Sequence, residues 1–293
     1  MRKIGVAMCT FNGEKYLKEQ LDSILNQTIK VDEIIVCDDK SSDKTIEILE
    51  EYSANYPTVF KIYTNAITLK SVKNFEKAIS LSTTDFVFLA DQDDIWMPHK
   101  VEKTMSFFES NSNLDAAFSN ANFIDDKSNM LPSNLWSSIY FDSDSIGFDE
   151  IYKYIVLKRN IVTGATFCFK KEVKEYVFPF PELAQFHHDH WMAFLVSQKN
   201  KCGFILEKLI SYRLHDTQQV GSSLKESKFK RFKNEIVENY MINNKKNLFF
   251  KNKISKTLQN NLDLYLSLQN ISPNFDFEIK KTINLILIKL KQI

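Results

Sequence analysis

With 293 residues and 44% hydrophobic side chains, the chain can bury one sizeable core plus a smaller appendage. Lys and Arg number 38 against 37 Asp and Glu, and this balance excludes nucleic acid as a partner selected by overall charge. Cys9, Cys37, Cys168 and Cys202 lack the close Cys spacing of metal and redox sites and read as reduced core thiols.

Charge is unevenly spread. Residues 222–293 hold 14 basic and 6 acidic side chains, net +8, against 24 and 31 in residues 1–221, net −7. That asymmetry predicts a boundary, with a main domain over 1–221 and a basic helical region over 222–293. The apolar run after Arg2 and Lys3 ends at Thr10, too short for a signal-peptide core, and no run of about 18 apolar residues occurs. A cytoplasmic protein is therefore expected.

In chain order, Ile4 to Cys9 reads as a strand, and Leu17, Leu21, Ile24 and Leu25 fall at helical spacing before a strand at Ile34 to Cys37. Ile46, Leu49 and Tyr52 mark a second helix, Val59 to Tyr63 a strand, Val72, Phe75 and Ile79 a third helix, and Phe86 to Ala90 a strand. Pro98 suits the opening of a helix whose inner face carries Val101, Met105 and Phe108. Such alternation predicts an α/β, Rossmann-like fold: a mostly parallel central sheet with helices on both faces. Further on, Ala116 to Phe118, Asn122 to Ile124, Val162 to Phe169 and Phe204 to Tyr212 read as strands, and Phe148 to Leu157 and Trp191 to Val196 as helices. The segment after Gly221 reads as a C-terminal helical annex.

Ligands of an open parallel sheet bind at the carboxyl ends of its strands, so the residues after each strand matter first. Three such places are polar: Thr10-Phe11-Asn12-Gly13, Asp38-Asp39-Lys40-Ser41-Ser42-Asp43 and Asp91-Gln92-Asp93-Asp94. Asn-Gly alone is an ordinary turn, and Ser42 or Asp43 alone an ordinary helix cap. The carboxylates of Asp91, Asp93 and Asp94, crowded into four residues, repel one another unless a cation intervenes, and carboxylate oxygens favour Mg²⁺ or Mn²⁺. The competing reading is a solvated acidic turn.

His187-His188-Asp189-His190-Trp191 does not space its histidines as a zinc site does. A lone carboxylate, Asp189, beside imidazoles and an apolar run suits a general base, with a helix cap as the plain alternative. In Tyr212-Arg213-Leu214-His215, a strand would put Arg213 and His215 on one side, in reach of a diphosphate or its metal; solvated charges at a strand end are the other reading.

Taken in order, these segments, with Leu21-Asp22-Ser23-Ile24-Leu25-Asn26-Gln27, Asp93-Asp94-Ile95-Trp96-Met97-Pro98 and Thr163-Gly164-Ala165, resemble family 2 glycosyltransferases with the GT-A type of nucleotide-sugar-binding fold. The resemblance spans roughly residues 3–221, and the Asp-Gln-Asp-Asp-Ile-Trp form is similar to the rhamnosyltransferase-like or capsular polysaccharide branch. It implies that Thr10, Phe11, Asn12 and Asp39 meet the base and ribose, Asp91 the ribose or metal, and Asp93 the metal. It further implies that Asp189 is the catalytic base and that Arg213 and His215 lie near the diphosphate, with His215 also toward the metal. Lys40 stands where the family usually has Gly, and His190 separates Asp189 from Trp191.

The implied activity is inverting transfer from a UDP- or dTDP-sugar to a glycan or lipid-linked acceptor in capsule- or O-antigen-type synthesis. A catalytically idle nucleotide-binding scaffold subunit and a nucleotidyltransferase are the alternatives; the single Gly13 after the first strand makes a poor phosphate loop for the latter. The basic tail, with interleaved aromatics such as Phe229, Phe232, Phe249 and Phe250, suits peripheral contact with an anionic inner membrane surface, or else packing, including a homodimer.

Overall fold

The computed structural model describes residues 2–157, 159–181 and 187–216. Contacts divide the chain into one unit of Met1–Ile155 with Asn160–Ser222 and a second of Val156–Arg159 with Ser223–Ile293. The annex expected after residue 221, with its membrane and dimer readings, lies outside the described residues.

The elements follow as β1 (Ile4–Thr10), α1 (Leu17–Leu25), β2 (Glu33–Asp38), α2 (Thr45–Asn55), β3 (Phe60–Thr64), α3 (Lys70–Leu81), β4 (Phe86–Ala90), β5 (Ile95–Trp96) and α4 (Lys100–Ser110). Then come β6 (Ala116–Ile124), β7 (Met130–Asn134), α5 (Leu135–Ser138), α6 (Ile151–Leu157), β8 (Phe167–Lys170), α7 (Lys174–Val177), α8 (His188–Gln198) and β9 (Cys202–Arg213). Among the described residues they build one sheet in the order β3-β2-β1-β4-β8-β6-β9-β5, with β7 on β6. Residues 6–8, 34–37 and 87–90 are fully buried, so both faces of the central strands are covered and their sequences run apolar without alternation. Helices supply the cover through faces such as Leu17, Leu21 and Ile24 of α1 and Phe75, Ala78 and Ile79 of α3.

The parallel expectation holds for β3-β2-β1-β4, whereas β8 runs antiparallel to both β4 and β6, and β9 parallel to β6. Three local readings change. Ala116 to Ile124 is one strand carried through Ser119 and Asn120 by register shifts, with the Asn120 carboxamide oxygen accepting from the Ala121 and Trp136 N–H groups. The expected strand at Val162 begins only at Phe167, because Thr166 folds back on the Thr163 carbonyl through both its N–H and its hydroxyl. Pro98 stands before the N-cap His99 and does not open α4, since the Lys100 N–H already turns back to the Met97 carbonyl.

Lys40 keeps the turn that a glycine would make. Its φ is 68°, in the left-handed region, where a side chain without local hydrogen-bonding capacity is strained. Replacing it by a β-branched residue should be far worse than replacing it by glycine. Lys40→Val is expected to unfold at least about 1 kcal/mol more easily than Lys40→Gly in urea titration, and equal midpoints would show that the turn does not need this conformation.

Candidate active site

The strand directions decide what gathers. Parallel β1, β2 and β4 end at one edge of the sheet, and β9, parallel to β6, ends there too; antiparallel β8 begins there. Thr10 to Gly13, Asp39, Asp91 to Asp93, Thr163, Gly164 and Tyr212 are thereby brought together from distant parts of the chain. With His187, His188, Asp189 and His215 they line one cavity of about 550 Å³, a size suited to a small ligand.

The first two loops organise each other. Asp38, fully buried, accepts from the Thr10 hydroxyl at 2.8 Å and from the N–H and hydroxyl of Ser41. Asn12, at φ 48°, accepts from the Ser42 N–H through its side-chain oxygen, while its own N–H donates to Ser41. Asp39 accepts from the Asn65 amide and from the Leu69 and Lys70 N–H groups, which fixes the entry to α3. Thr10, Asn12 and Asp39 therefore shape the cavity wall with groups already engaged in the protein, and Phe11, 37% exposed, offers an open aromatic face at the rim.

Gln92 straps the two ends of this wall. Its carboxamide accepts from the Phe11 N–H at 2.8 Å and donates to the Phe11 carbonyl at 3.0 Å. A side chain at position 13 would collide with Gln92, which is the local reason for Gly13.

The carboxylates after β4 have three different fates. Asp94 is completely buried and accepts from the Arg213 N–H at 3.0 Å; burial, then Asp93 and Asp91, hold its pKa well above the ordinary range. Asp93 meets the His215 ring at 2.9 Å. Asp91 faces the cavity, and its pKa is pushed up to about 7 by burial first and then by the Asp93 and Asp189 carboxylates. Beneath them Lys100, 1% exposed, donates to the Ala165 carbonyl at 2.7 Å and lies 3.8 Å from the Trp96 ring centre. Burial draws its pKa down to about 7, against the pull of Asp94 and Asp91 in the other direction.

Arg213 is not among the cavity-lining residues. Fully buried, it donates to the Asp93 and Asp125 carbonyls, the Ser128 hydroxyl and the Glu19 carboxylate, and stacks over the Tyr16 ring at 4.4 Å. The expected strand geometry for Arg213 and His215 is replaced by another: β9 ends at Arg213, and His215 turns to the cavity beyond it, 4.9 Å from the other residue it flanks, Tyr16.

Asp189 lies in the first turn of α8, where the helix dipole favours a carboxylate; the cap position itself is His187. One of its oxygens accepts from the Gly164 N–H at 3.0 Å and the other from the His190 N–H. Position 164 must stay small, since an added Cβ would approach the His188 ring nitrogen to 2.6 Å. His188 itself is buried against Phe75, ring centres 3.9 Å apart, and burial lowers its pKa to about 4.

Among the described residues no group of three or more His, Cys, Asp or Glu side chains forms a ready metal cage. The chemistry of the donor set nevertheless fits a hard divalent ion. Mg²⁺ and Mn²⁺ sites commonly use one or two carboxylates and take their other ligands from substrate phosphates, and the mutually opposed Asp91 and Asp93 are such a pair. The sequence assigned no role to Gln92, Lys100, Tyr16 or Tyr212, because their contacts with Phe11, Ala165, Arg213 and Phe123 join residues 65 or more apart.

His188 carries a pH dependence whose sign is fixed by its lowered pKa. The unfolded chain takes up the proton at an ordinary pKa of 6.5, the folded chain only near 4, so the contribution is present above 6.5 and lost as pH falls toward 4. At its acid end the loss is at most about 3 kcal/mol. His188→Asn should show a shallower fall of urea midpoint from pH 7 to 4.5, with the remaining slope owed partly to His190, which burial also lowers to about 4. An unchanged slope would contradict the neutral, buried imidazole.

Comparison with known proteins agrees with this geometry. Residues 5–176 match the model described as Glycosyl transferase family 2. An uncharacterized glycosyltransferase of Methanocaldococcus jannaschii is 30% identical over 227 residues, covering 77% of this chain and 75% of that one. The dTDP-rhamnosyl transferase RfbG of Shigella flexneri is 28% identical over 239 residues, covering 76% and 77%. A mannosyltransferase from Pyrobaculum calidifontis, solved in complex with GDP-Man and Mn²⁺, shares the fold at a TM-score of 0.56 and 13% identity, covering 92% of this chain and 76% of that one. The chain belongs to glycosyl transferase family 2 and is a glycosyltransferase on a GT-A-like fold.

Proposed function

We propose that the protein moves a sugar, with inversion, from a UDP- or dTDP-sugar to a hydroxyl of a cell-surface polysaccharide intermediate, with rhamnose as the sugar to test first. The observation that carries the reading is that Asp189 shares one cavity with Asp91, Asp93 and His215, so a proton acceptor and an anion-handling end meet in one ligand-sized space. The name of the Shigella relative supports rhamnose, and that of the Pyrobaculum structure supports Mn²⁺. The net +8 of residues 222–293 supports a lipid-linked acceptor at an anionic inner membrane surface. No helix among the described residues is long and apolar enough to cross a membrane.

In this mechanism Asp189, oriented by the Gly164 N–H, takes the proton of the acceptor hydroxyl. The freed oxygen forms its bond to the anomeric carbon as the bond from that carbon to the diphosphate oxygen breaks, and the electron pair leaves with the nucleoside diphosphate. One displacement inverts the centre. Asp91 and Asp93 would hold Mg²⁺ or Mn²⁺, which stabilises the charge on the departing diphosphate. Thr10, Phe11, Asn12 and Asp39 would frame the base and ribose. Arg213 would act from behind, holding the Asp93 backbone in place without touching the ligand.

Donor cleavage measured with and without acceptor tests the reading, using dTDP-rhamnose first and a panel of UDP-sugars after it. Asp189→Asn should bind donor within about twofold of wild type yet lose transfer at least about a hundredfold. Loss of donor binding with turnover retained would make Asp189 structural. Asp93→Ala should abolish transfer together with Mn²⁺-dependent donor binding, and full wild-type activity in EDTA would remove the metal from the mechanism.

A further inference from the structure

Tyr212 lies on β9 immediately before Arg213 and lines the cavity. It is paired with Phe123 across β6 and β9, and the two rings lie 6.0 Å apart, so its ring is held by the sheet. Alternation along the strand then sends Tyr212 to the cavity and Arg213 to the buried network behind it. Its side chain is more than nine-tenths buried.

The phenolic hydroxyl has no hydrogen-bond partner among the described residues, yet it is not among the polar atoms sealed from solvent. That distinguishes it from Tyr16, whose hydroxyl is enclosed, and from Thr10, whose hydroxyl is given to Asp38. The Asp94, Asp91, Asp93 and Asp189 carboxylates all bear on this phenol, in that order after burial, and together keep its proton in place. A buried phenol that lines the cavity and gives its O–H to no described protein acceptor is a donor available to a ligand.

Its position says what that is. Asp91 and Asp93 mark the diphosphate end of the proposed reaction and Asp189 the acceptor end, and Tyr212 lines the same cavity under the influence of both. The part of the ligand that joins these ends is the sugar–phosphate linkage. We infer that the Tyr212 hydroxyl is a catalytic hydrogen-bond donor to the phosphate side of that linkage, where negative charge grows as the bond to the anomeric carbon breaks. No proton is transferred; the bond shortens as the oxygen becomes more anionic, so the contribution appears in the transition state more than in the bound donor.

This inference rests on the transferase reading above, and the experiment separates the two. Tyr212→Phe removes one oxygen and leaves the ring packing with Phe123, so the fold is retained. With the nucleotide sugar that the wild type cleaves best, the variant should lose about tenfold to hundredfold in kcat. Its thermal midpoint and its affinity for the nucleoside diphosphate with Mn²⁺ should stay within about 1 °C and about twofold of wild type, as expected for a donor that acts mainly in the transition state. A kcat within twofold of wild type overturns the inference and leaves the transferase reading standing. A loss that appears equally in nucleoside diphosphate affinity or in the thermal midpoint also overturns it, since it would show ground-state binding or structure. A wild type that cleaves no nucleotide sugar overturns both.

Discussion

The constraint on which this molecule turns is negative charge without enough water around it. Asp38, Asp39, Asp91, Asp93, Asp94 and Asp189 all converge on one sheet edge, and only a few positive groups are there to answer them. Burying a carboxylate is costly unless hydrogen bonds or a counter-charge replace its hydration. The protein applies both remedies residue by residue. Asp38 and Asp39 are surrounded by N–H and O–H donors, and Asp94 receives the Arg213 N–H while Lys100 lies in its field. Asp189 accepts two backbone N–H groups at a helix start. Asp91 is the exception: no protein donor to its side chain is found among the described residues, and its raised pKa expresses that deficit.

Half of the acidic residues that make the edge look like a ligand site, Asp38, Asp39 and Asp94, are therefore loop organisers. They fix backbone conformations that could not otherwise hold, such as the left-handed turns at Asn12 and Lys40, and they bind neighbouring loops to one another. Their work ends inside the protein. What remains for chemistry is the other half, Asp91, Asp93 and Asp189, which line the cavity, and this sorting by hydrogen-bond balance separates Asp91 from Asp94 where spacing alone could not.

The same distinction explains what was legible in the sequence. The first four strands and their helices could be read because short apolar runs alternate with segments of helical period, and the three loops after β1, β2 and β4 follow at once from parallel strands. The turn at Thr163 to Thr166 could not, since Val162, Ala165 and Phe167 look strand-like and only the two bonds from Thr166 to the Thr163 carbonyl reveal the fold-back. Arg213 looked like a surface cation for a diphosphate. Its burial depends on Glu19, Asp125 and Ser128, residues scattered over more than a hundred positions, and no local pattern announces that they meet. Lys100 is the same case: a lysine two residues after a proline gives no sign of lying under a tryptophan ring.

The reversal of strand direction at β8 is what lets a nucleotide-binding edge become a reaction site. Four parallel strands alone would present only loop ends such as Asp39 and Asp91, all suited to gripping one end of a ligand. Because β8 runs the other way, the turn before it arrives at the same edge, and the Gly164 N–H is there to take one oxygen of Asp189. Lys100 fastens that turn from below through Ala165, one residue along, while lying in the field of Asp91 and Asp94. Lys100 thus stands between the carboxylates after β4, which bear on its charge, and the Ala165 carbonyl beside the Gly164 N–H that orients Asp189. The two halves of the proposed reaction therefore rest on one buried lysine, fastened to the turn that orients Asp189 and lying in the field of the carboxylates after β4.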